Sequence, residues 1–260
     1  MNDSVLFEVA DGVATITLNR PEALNTMNHD LSAGLAEASR EIRDNDAIRV
    51  AIITGNGRAF CAGADLRERS ATGRGFNNPA DVFSTTSGGG LGAADVKKPI
   101  IAAINGYCLG GGFEMALTCD LRIASEDASF GLPEITRGFF PGGGGPVRLP
   151  RFIPQAFAAE IVLLGERFDA ATAQRYGVVS RVLPPEQLMT TAHEMAARIA
   201  GYAPIAVRAV TELMRSQGDL PLERALRLGS SLRWIVGQTE DAHEGPRAFV
   251  EKRAPQFKGR

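Results

Sequence analysis

Two short runs hold the residues most able to do chemistry. Asn105-Gly-Tyr-Cys-Leu-Gly-Gly-Gly-Phe-Glu114 ends in one acid, and Phe130-Gly-Leu-Pro-Glu134 ends in a second, on what reads as a loop. Glycines permit close approach to the main chain, and a helix start leaves several N–H groups without partners. Such N–H groups can hold an oxygen that carries negative charge. The glycine triplet alone reads equally as a tight turn that packs a strand on a helix. No Gly-Lys-Ser/Thr follows it, so it is not a P-loop, and it is not a G-x-G-x-x-G dinucleotide fingerprint.

The elements around these runs are those needed to position them. Pro99 to Ile104 is a continuous apolar run that suits a buried strand, and Phe113, Ala116 and Leu117 begin a helical spacing. The pattern predicts strand, glycine-rich turn, helix. Val50 to Thr54 is a second buried strand, which Gly55-Asn-Gly57 turns towards Arg58-Ala-Phe-Cys-Ala-Gly-Ala-Asp-Leu66.

Taken in order, Leu18-Asn-Arg-Pro-Glu-Ala-Leu-Asn25, Arg58 to Leu66, Asn105 to Glu114, Phe130 to Glu134, Pro141-Gly-Gly-Gly-Gly-Pro-Val-Arg-Leu149 and Glu240 to Arg253 resemble the crotonase superfamily. The resemblance covers nearly the whole chain. It implies an α/β fold: a crotonase-like ββα spiral core over residues 1–200 that carries the CoA-thioester site, and an all-helical oligomerisation region over 201–260. It implies an acyl-CoA thioester substrate whose carbonyl oxygen is held by the N–H groups of Ala64 and Gly111. Both acid positions of the hydratase branch are filled, by Glu114 and Glu134. They would hold one water between them. Two carboxylates in one small site cannot easily both ionise, so one keeps a proton. We assign Glu134 to protonate carbon 2 and Glu114 to activate water.

The same resemblance runs the CoA arm over Ala23 and Leu24 and over Ala62, Asp65, Leu66 and Arg67. Arg67 stands where hydratases often carry a lysine near the phosphates. Gly110, Pro133 and Gly142 complete the implied substrate contacts. No metal or redox cofactor is implied, and coenzyme A arrives as part of the substrate. The implied activity is reversible addition of water to a 2-enoyl-CoA. Gly112 to Leu117, Val147 to Arg151 and Gly245 to Arg253 resemble the carnitinyl-CoA dehydratase subgroup, which is the runner-up. An enoyl-CoA isomerase and a CoA-ester binder without turnover follow.

The chain has 260 residues, 44% of them hydrophobic, enough for a substantial core. A formal net charge of −2 without a basic block argues against nucleic acid as a partner. Three cysteines, Cys61, Cys108 and Cys119, without C-x-x-C spacing fit neither a disulfide framework nor a zinc site, and Cys61 and Cys108 read as small buried thiols. No leader or membrane-length apolar run is read, so a cytoplasmic, membrane-free protein is expected. His29, His193 and His243 lie outside the site motifs.

Along the chain, Asp11-Gly12 between Val5 to Val9 and Val13 to Leu18 signals a hairpin. Leu31, Leu35, Ala38 and Ile42 form one helical face with Asn28 as cap. Asp65 to Val96 is the least regular stretch, with mobility expected between Arg69 and Gly92. Leu121 to Ala124 and Val178 to Leu183 read as strands. Gly142 to Leu149 opens a helix. Ala156 to Leu164, Asp169 to Gly177 and Leu188 to Ala200 are further helices, and from Pro204 the chain reads as helical throughout, with breaks at Gly218-Asp219 and Gly237. Leu222, Ala225, Leu226, Leu232, Ile235 and Val236 form an apolar face wider than one small helix needs. It suggests a homotrimer or a dimer of trimers, with packing on the parent subunit as the alternative. Lys252, Arg253 and Lys258 could reach phosphates or simply solvate a terminal helix.

Overall fold

The computed structural model describes residues 2–72 and 96–260. Most of the stretch expected to be mobile lies outside them.

The main sheet is six-stranded. Its strands are β1 (Val5–Ala10), β2 (Val13–Leu18), β3 (Val50–Gly55), β5 (Ile100–Ile104), β7 (Leu121–Ser125) and β10 (Arg181–Leu183), in that spatial order. β1 and β2 form the expected hairpin, with Asp11 and Gly12 both at positive φ (50° and 79°) as a tight two-residue turn requires. The other pairs are parallel.

A four-stranded sheet holds β4 (Ala59–Cys61), β6 (Tyr107–Leu109), β8 (Ser129–Gly131) and β9 (Phe168–Asp169). Each of β3, β5 and β7 is thus followed at once by a short strand of this second sheet. The first two pairs then lead into helices, α2 (Leu66–Thr72) and α3 (Gly111–Ala116). These repeated strand-strand-helix units are the spiral that the resemblance implies.

Burial follows the strand period. Ala51 and Ile53 face one apolar cluster with α1 (His29–Asp44), while Val50 and Ile52 face another. The second cluster is closed by α7 (Pro185–Ala200), whose Leu188, Ala192, Ala196 and Ala200 form a mostly small-residue stripe against the sheet. Leu31, Leu35, Ala38 and Ile42 are fully buried, and the Asn28 side chain accepts the N–H of Leu31 as the cap. Lys98 is also buried; its Nζ donates to the carbonyls of Ile42 and Asn45 at the end of α1.

After Gly131 the chain makes a 3-10 turn (Pro133–Arg137), then α4 (Gly145–Phe152), α5 (Gln155–Leu164) and α6 (Ala170–Tyr176), which ends at Gly177 with φ 80°. Residues 201–260 hold α8 (Pro204–Ser216), α9 (Leu222–Gly237) and α10 (Glu240–Val250). Arg215 on α8 pairs with Asp120 at 2.6 Å and ties this helix to the turn just ahead of β7.

Four expectations need correction. The run from Pro99 does not reach the helix through one glycine turn. Asn105-Gly106 turns it into β6, a three-residue strand too short to show a period. Leu66–Thr72 is helical, because the Asp65 carboxylate accepts the N–H groups of Arg67 and Glu68 and caps it. Glu134 stands on a 3-10 turn, not an open loop. The last helix ends at Val250, and the tail folds back so that the Arg260 carbonyl accepts the Glu240 N–H.

Candidate active site

Three pieces of chain meet at the site, and glycines set how closely. Gly63 (φ +95°) has Leu109 O, Gly110 Cα and Gly111 N within 3.6 Å of where a Cβ would stand. This places the turn before Ala64 against the start of α3. Gly110 (φ +54°) precedes that helix, and a Cβ on it would lie 2.7 Å from Glu134 Oε1. Gly112 lies on Cys61, where a side chain would strike the main chain.

The peptide of Ala64 is turned by a bridge to Met27. The Met27 N–H donates to Gly63 O at 2.7 Å and the Asp65 N–H to Met27 O at 3.0 Å. Both bonds use the neighbours of Ala64, so its own N–H points away from Met27. Among the described residues neither Ala64 N–H nor Gly111 N–H finds an acceptor. The family resemblance implies these two donors, and the fold brings their segments together.

Glu114, in the first turn of α3, is buried, and its Oε1 accepts the Gly145 N–H at 2.7 Å. Burial raises its pKa above the usual carboxylate value. The N–H groups of Gly145, Gly143 and Gly144 and the charge of Arg148 oppose that rise. Glu134 differs. Its Oε2 is buried with no hydrogen-bond partner among the described residues. Burial pushes its pKa up to about 7, its own N–H and Arg137 lower it, and the charge of Glu114 adds to the rise. Burial thus raises both carboxyls, with peptide N–H groups opposing the rise at Glu114 and the Glu114 charge adding to it at Glu134.

The implied CoA-contact positions are also gathered. Leu24 O accepts the Ala62 N–H at 3.0 Å, which joins Ala23 and Leu24 to the stretch Ala62 to Arg67. Leu66 and Arg67 are exposed. Pro133 opens the turn that carries Glu134, and Gly142 is exposed just ahead of the Gly143–Gly145 donors. The Asp65 side chain is engaged within the fold. Besides capping α2, its Oδ2 pairs with Arg20 at 3.1 Å and accepts from Thr26. Burial raises its pKa, but the Glu68 N–H and Arg20 outweigh this and hold it low.

Arg253 is likewise committed. Its guanidinium pairs with both oxygens of Glu244 and with Glu251, so it is not a free cation for a phosphate. Cys61, Cys108 and Cys119 are buried and unpaired, with burial pushing the Cys61 and Cys119 thiols up to about 12.

Sequence reasoning missed two supports. The Gly143–Gly145 donors to Glu114 sit in a glycine run whose partner lies far away in sequence. Asn25 is fully buried at φ 53°. Its amide donates to Asn56 O and Ala59 O and accepts the Arg20 N–H, which locks the Arg20–Asn25 turn to β4. An Asn closing an otherwise apolar Ala-Leu step is the signal that could have found it.

No helix of the described residues is long and apolar enough to cross a membrane, and no His/Cys/Asp/Glu cluster among them could hold a metal.

A model of the enoyl-CoA hydratase/isomerase family matches residues 8–260. Carnitinyl-CoA dehydratase of Proteus mirabilis (strain HI4320) is 42% identical over 265 residues, covering 100% of both chains. (E)-benzylidenesuccinyl-CoA hydratase of Thauera aromatica is 42% identical over 261 residues, covering 98% of this chain and 99% of its own. A crystal structure of an enoyl-CoA hydratase/isomerase from Mycobacterium paratuberculosis superposes with a TM-score of 0.92 at 37% identity, covering 99% of both chains.

Proposed function

This chain belongs to the enoyl-CoA hydratase/isomerase family, and on that premise we propose that it is a hydro-lyase adding water reversibly to a 2-enoyl-CoA thioester. The observation that carries this reading is the acid pair: Glu114, kept ionisable by peptide N–H groups, beside Glu134, whose buried Oε2 has no partner. The N–H groups of Ala64 and Gly111 hold the thioester oxygen, which draws electrons from carbon 3. Glu114 takes a proton from water as its oxygen bonds to carbon 3, and Glu134 gives its proton to carbon 2. Charge gathering on the thioester oxygen is met by donors already in place; losing one such donor costs about 2.7–4 kcal/mol in the barrier.

The nucleotide arm lies along Ala23, Leu24 and Ala62 to Arg67, with Gly110, Pro133 and Gly142 lining the acyl end. The reaction calls for no metal or redox cofactor, and coenzyme A comes and leaves with the acyl group. The active form is a homotrimer or a dimer of trimers in the cytoplasm. Exposed Leu222, Leu226, Trp234 and Ile235 on α9 support the assembly, with α9 packing on a neighbour.

Carnitinyl-CoA dehydration is the second reading, favoured by full-length 42% identity to the Proteus enzyme. The Thauera relative, named for an unlike acyl group, matches equally well. The test follows from that equality: loss of enone absorbance on a panel of 2-enoyl-CoA thioesters from four carbons upward, with crotonobetainyl-CoA and (E)-benzylidenesuccinyl-CoA included. Fast loss on one member supports hydration and names the acyl group. No loss on any member overturns it.

A further inference from the structure

Met27 touches both of the peptides that carry the site's free N–H groups. Its main chain bridges either side of Ala64, through Met27 N–H to Gly63 O and Asp65 N–H to Met27 O. Its side chain reaches across to the other donor. The place a Cβ would take on Gly111 is filled by the Met27 Cε methyl, with Sδ 3.9 Å from that place. The residue is half-buried and packs on the main apolar cluster.

Its own segment is held firmly. Asn25 fixes the preceding turn to Asn56 and Ala59, the Thr26 carbonyl accepts from Arg20, and the Thr26 hydroxyl donates to Asp65. The Met27 main chain is therefore held in place, and its side chain spans from one turn to the other. The absence of a side chain at Gly111 and the presence of a long one at position 27 are complementary in size.

We propose that Met27 is a positioning residue for the thioester oxygen: it sets the spacing of the Ala64 and Gly111 N–H groups, through its main chain to one and its thioether to the other. The proposal rests on the hydratase reading above. Shortening Met27 leaves Gly111 free to settle into the vacated space, and its N–H then swings off the line on which charge develops. A misplacement of about 1 Å in such a group can cost on the order of 100-fold in rate. Because the thioester is held along the whole CoA arm, KM moves much less than kcat.

The test is a double-mutant cycle on the intact protein with the best substrate of the panel. Met27→Ala is expected to lower kcat roughly 10- to 100-fold with KM within about threefold. Met27→Leu, close in volume, recovers most of that loss. Gly111→Ala collides with the Met27 methyl and falls further, and Met27→Ala in the same chain restores at least about tenfold of kcat by making room.

A second readout is optical. Cinnamoyl-CoA absorbs at longer wavelength when its carbonyl is polarised. The red shift on binding should shrink in Met27→Ala and persist in Met27→Leu. Strictly multiplicative losses in the double variant, or an unchanged kcat and red shift in Met27→Ala, would overturn the proposal. A wild-type chain that turns over no panel member fails the hydratase reading instead. The cinnamoyl-CoA shift still judges Met27 in that case.

Discussion

Glu134 Oε2 is buried without a hydrogen-bond partner, while Glu114 Oε1 accepts the Gly145 N–H at 2.7 Å. Burial raises the pKa of both acids, but their hydrogen-bond support differs. The N–H groups at Gly143–Gly145 favour the charged form of Glu114; around Glu134 burial and the Glu114 charge outweigh the opposing groups and favour the neutral form. In the proposed mechanism that asymmetry separates a pair of like residues into an acid and a base.

The pH profile should be bell-shaped. In the hydration direction Glu134 must carry its proton, so kcat/KM falls as pH rises through about 7. Glu114 must be ionised, so activity also falls on the acid side, through a value above the ordinary carboxylate range. The two limbs belong to the pair. Glu134→Gln should abolish the limb near neutral pH in whatever activity remains, and a profile unchanged by it would contradict the assignment.

The same shift has a cost in stability. Glu134 has its pKa raised from 4.5 to about 7 in the folded chain, so between those values the folded state binds more protons than the unfolded one. Its contribution therefore weakens as pH rises through that window. Thermal unfolding should show Glu134→Gln more stable than wild type at pH near 8, with the difference shrinking near pH 5. A variant equally stable at both would show that Glu134 carries no strain.

Asn25→Ala should lower the unfolding free energy by about 2–4 kcal/mol, measured by urea denaturation. The change strands the Asn56 and Ala59 carbonyls and the Arg20 N–H, and places an alanine at positive φ. Activity should fall further than stability alone explains, since the same turn leads to Met27. A loss under 1 kcal/mol, by contrast, would mean that water replaces the amide.

Leu226→Arg puts a charge on the apolar face of α9, where Leu222 is 75% and Trp234 68% exposed in the single chain. Light scattering should report an assembly of three or six chains for wild type and dissociation for the variant. A monomeric wild type would contradict the assembly.

Much of the site was legible because its parts are local in sequence. Glu114 follows its glycine run, Glu134 follows Phe-Gly-Leu-Pro, and Pro99 to Ile104 is long enough to read as a buried strand. What was not legible depends on distant partners. β6 has three residues and no period of its own. α2 has one apolar residue at its start, Leu66, and is fixed by the Asp65 cap. Arg253 reads as a cation that could reach a phosphate, yet it is taken by Glu244, and nothing local in the sequence marks Lys98 as the cap of α1. The pairing of the Asp65 side chain with Arg20 likewise joins residues far apart in sequence.

The central claim is tested most directly by mass. The purified chain is incubated in heavy-oxygen water with the best panel thioester, and the product mass is followed for wild type, Glu114→Gln and Glu134→Gln. The account predicts a product heavier by one molecule of labelled water, with the label on carbon 3. Rates should fall on the order of 10²–10⁴-fold in each variant, while circular dichroism stays native. A product of unchanged mass with a shifted double bond, or full rates in both variants, would contradict it.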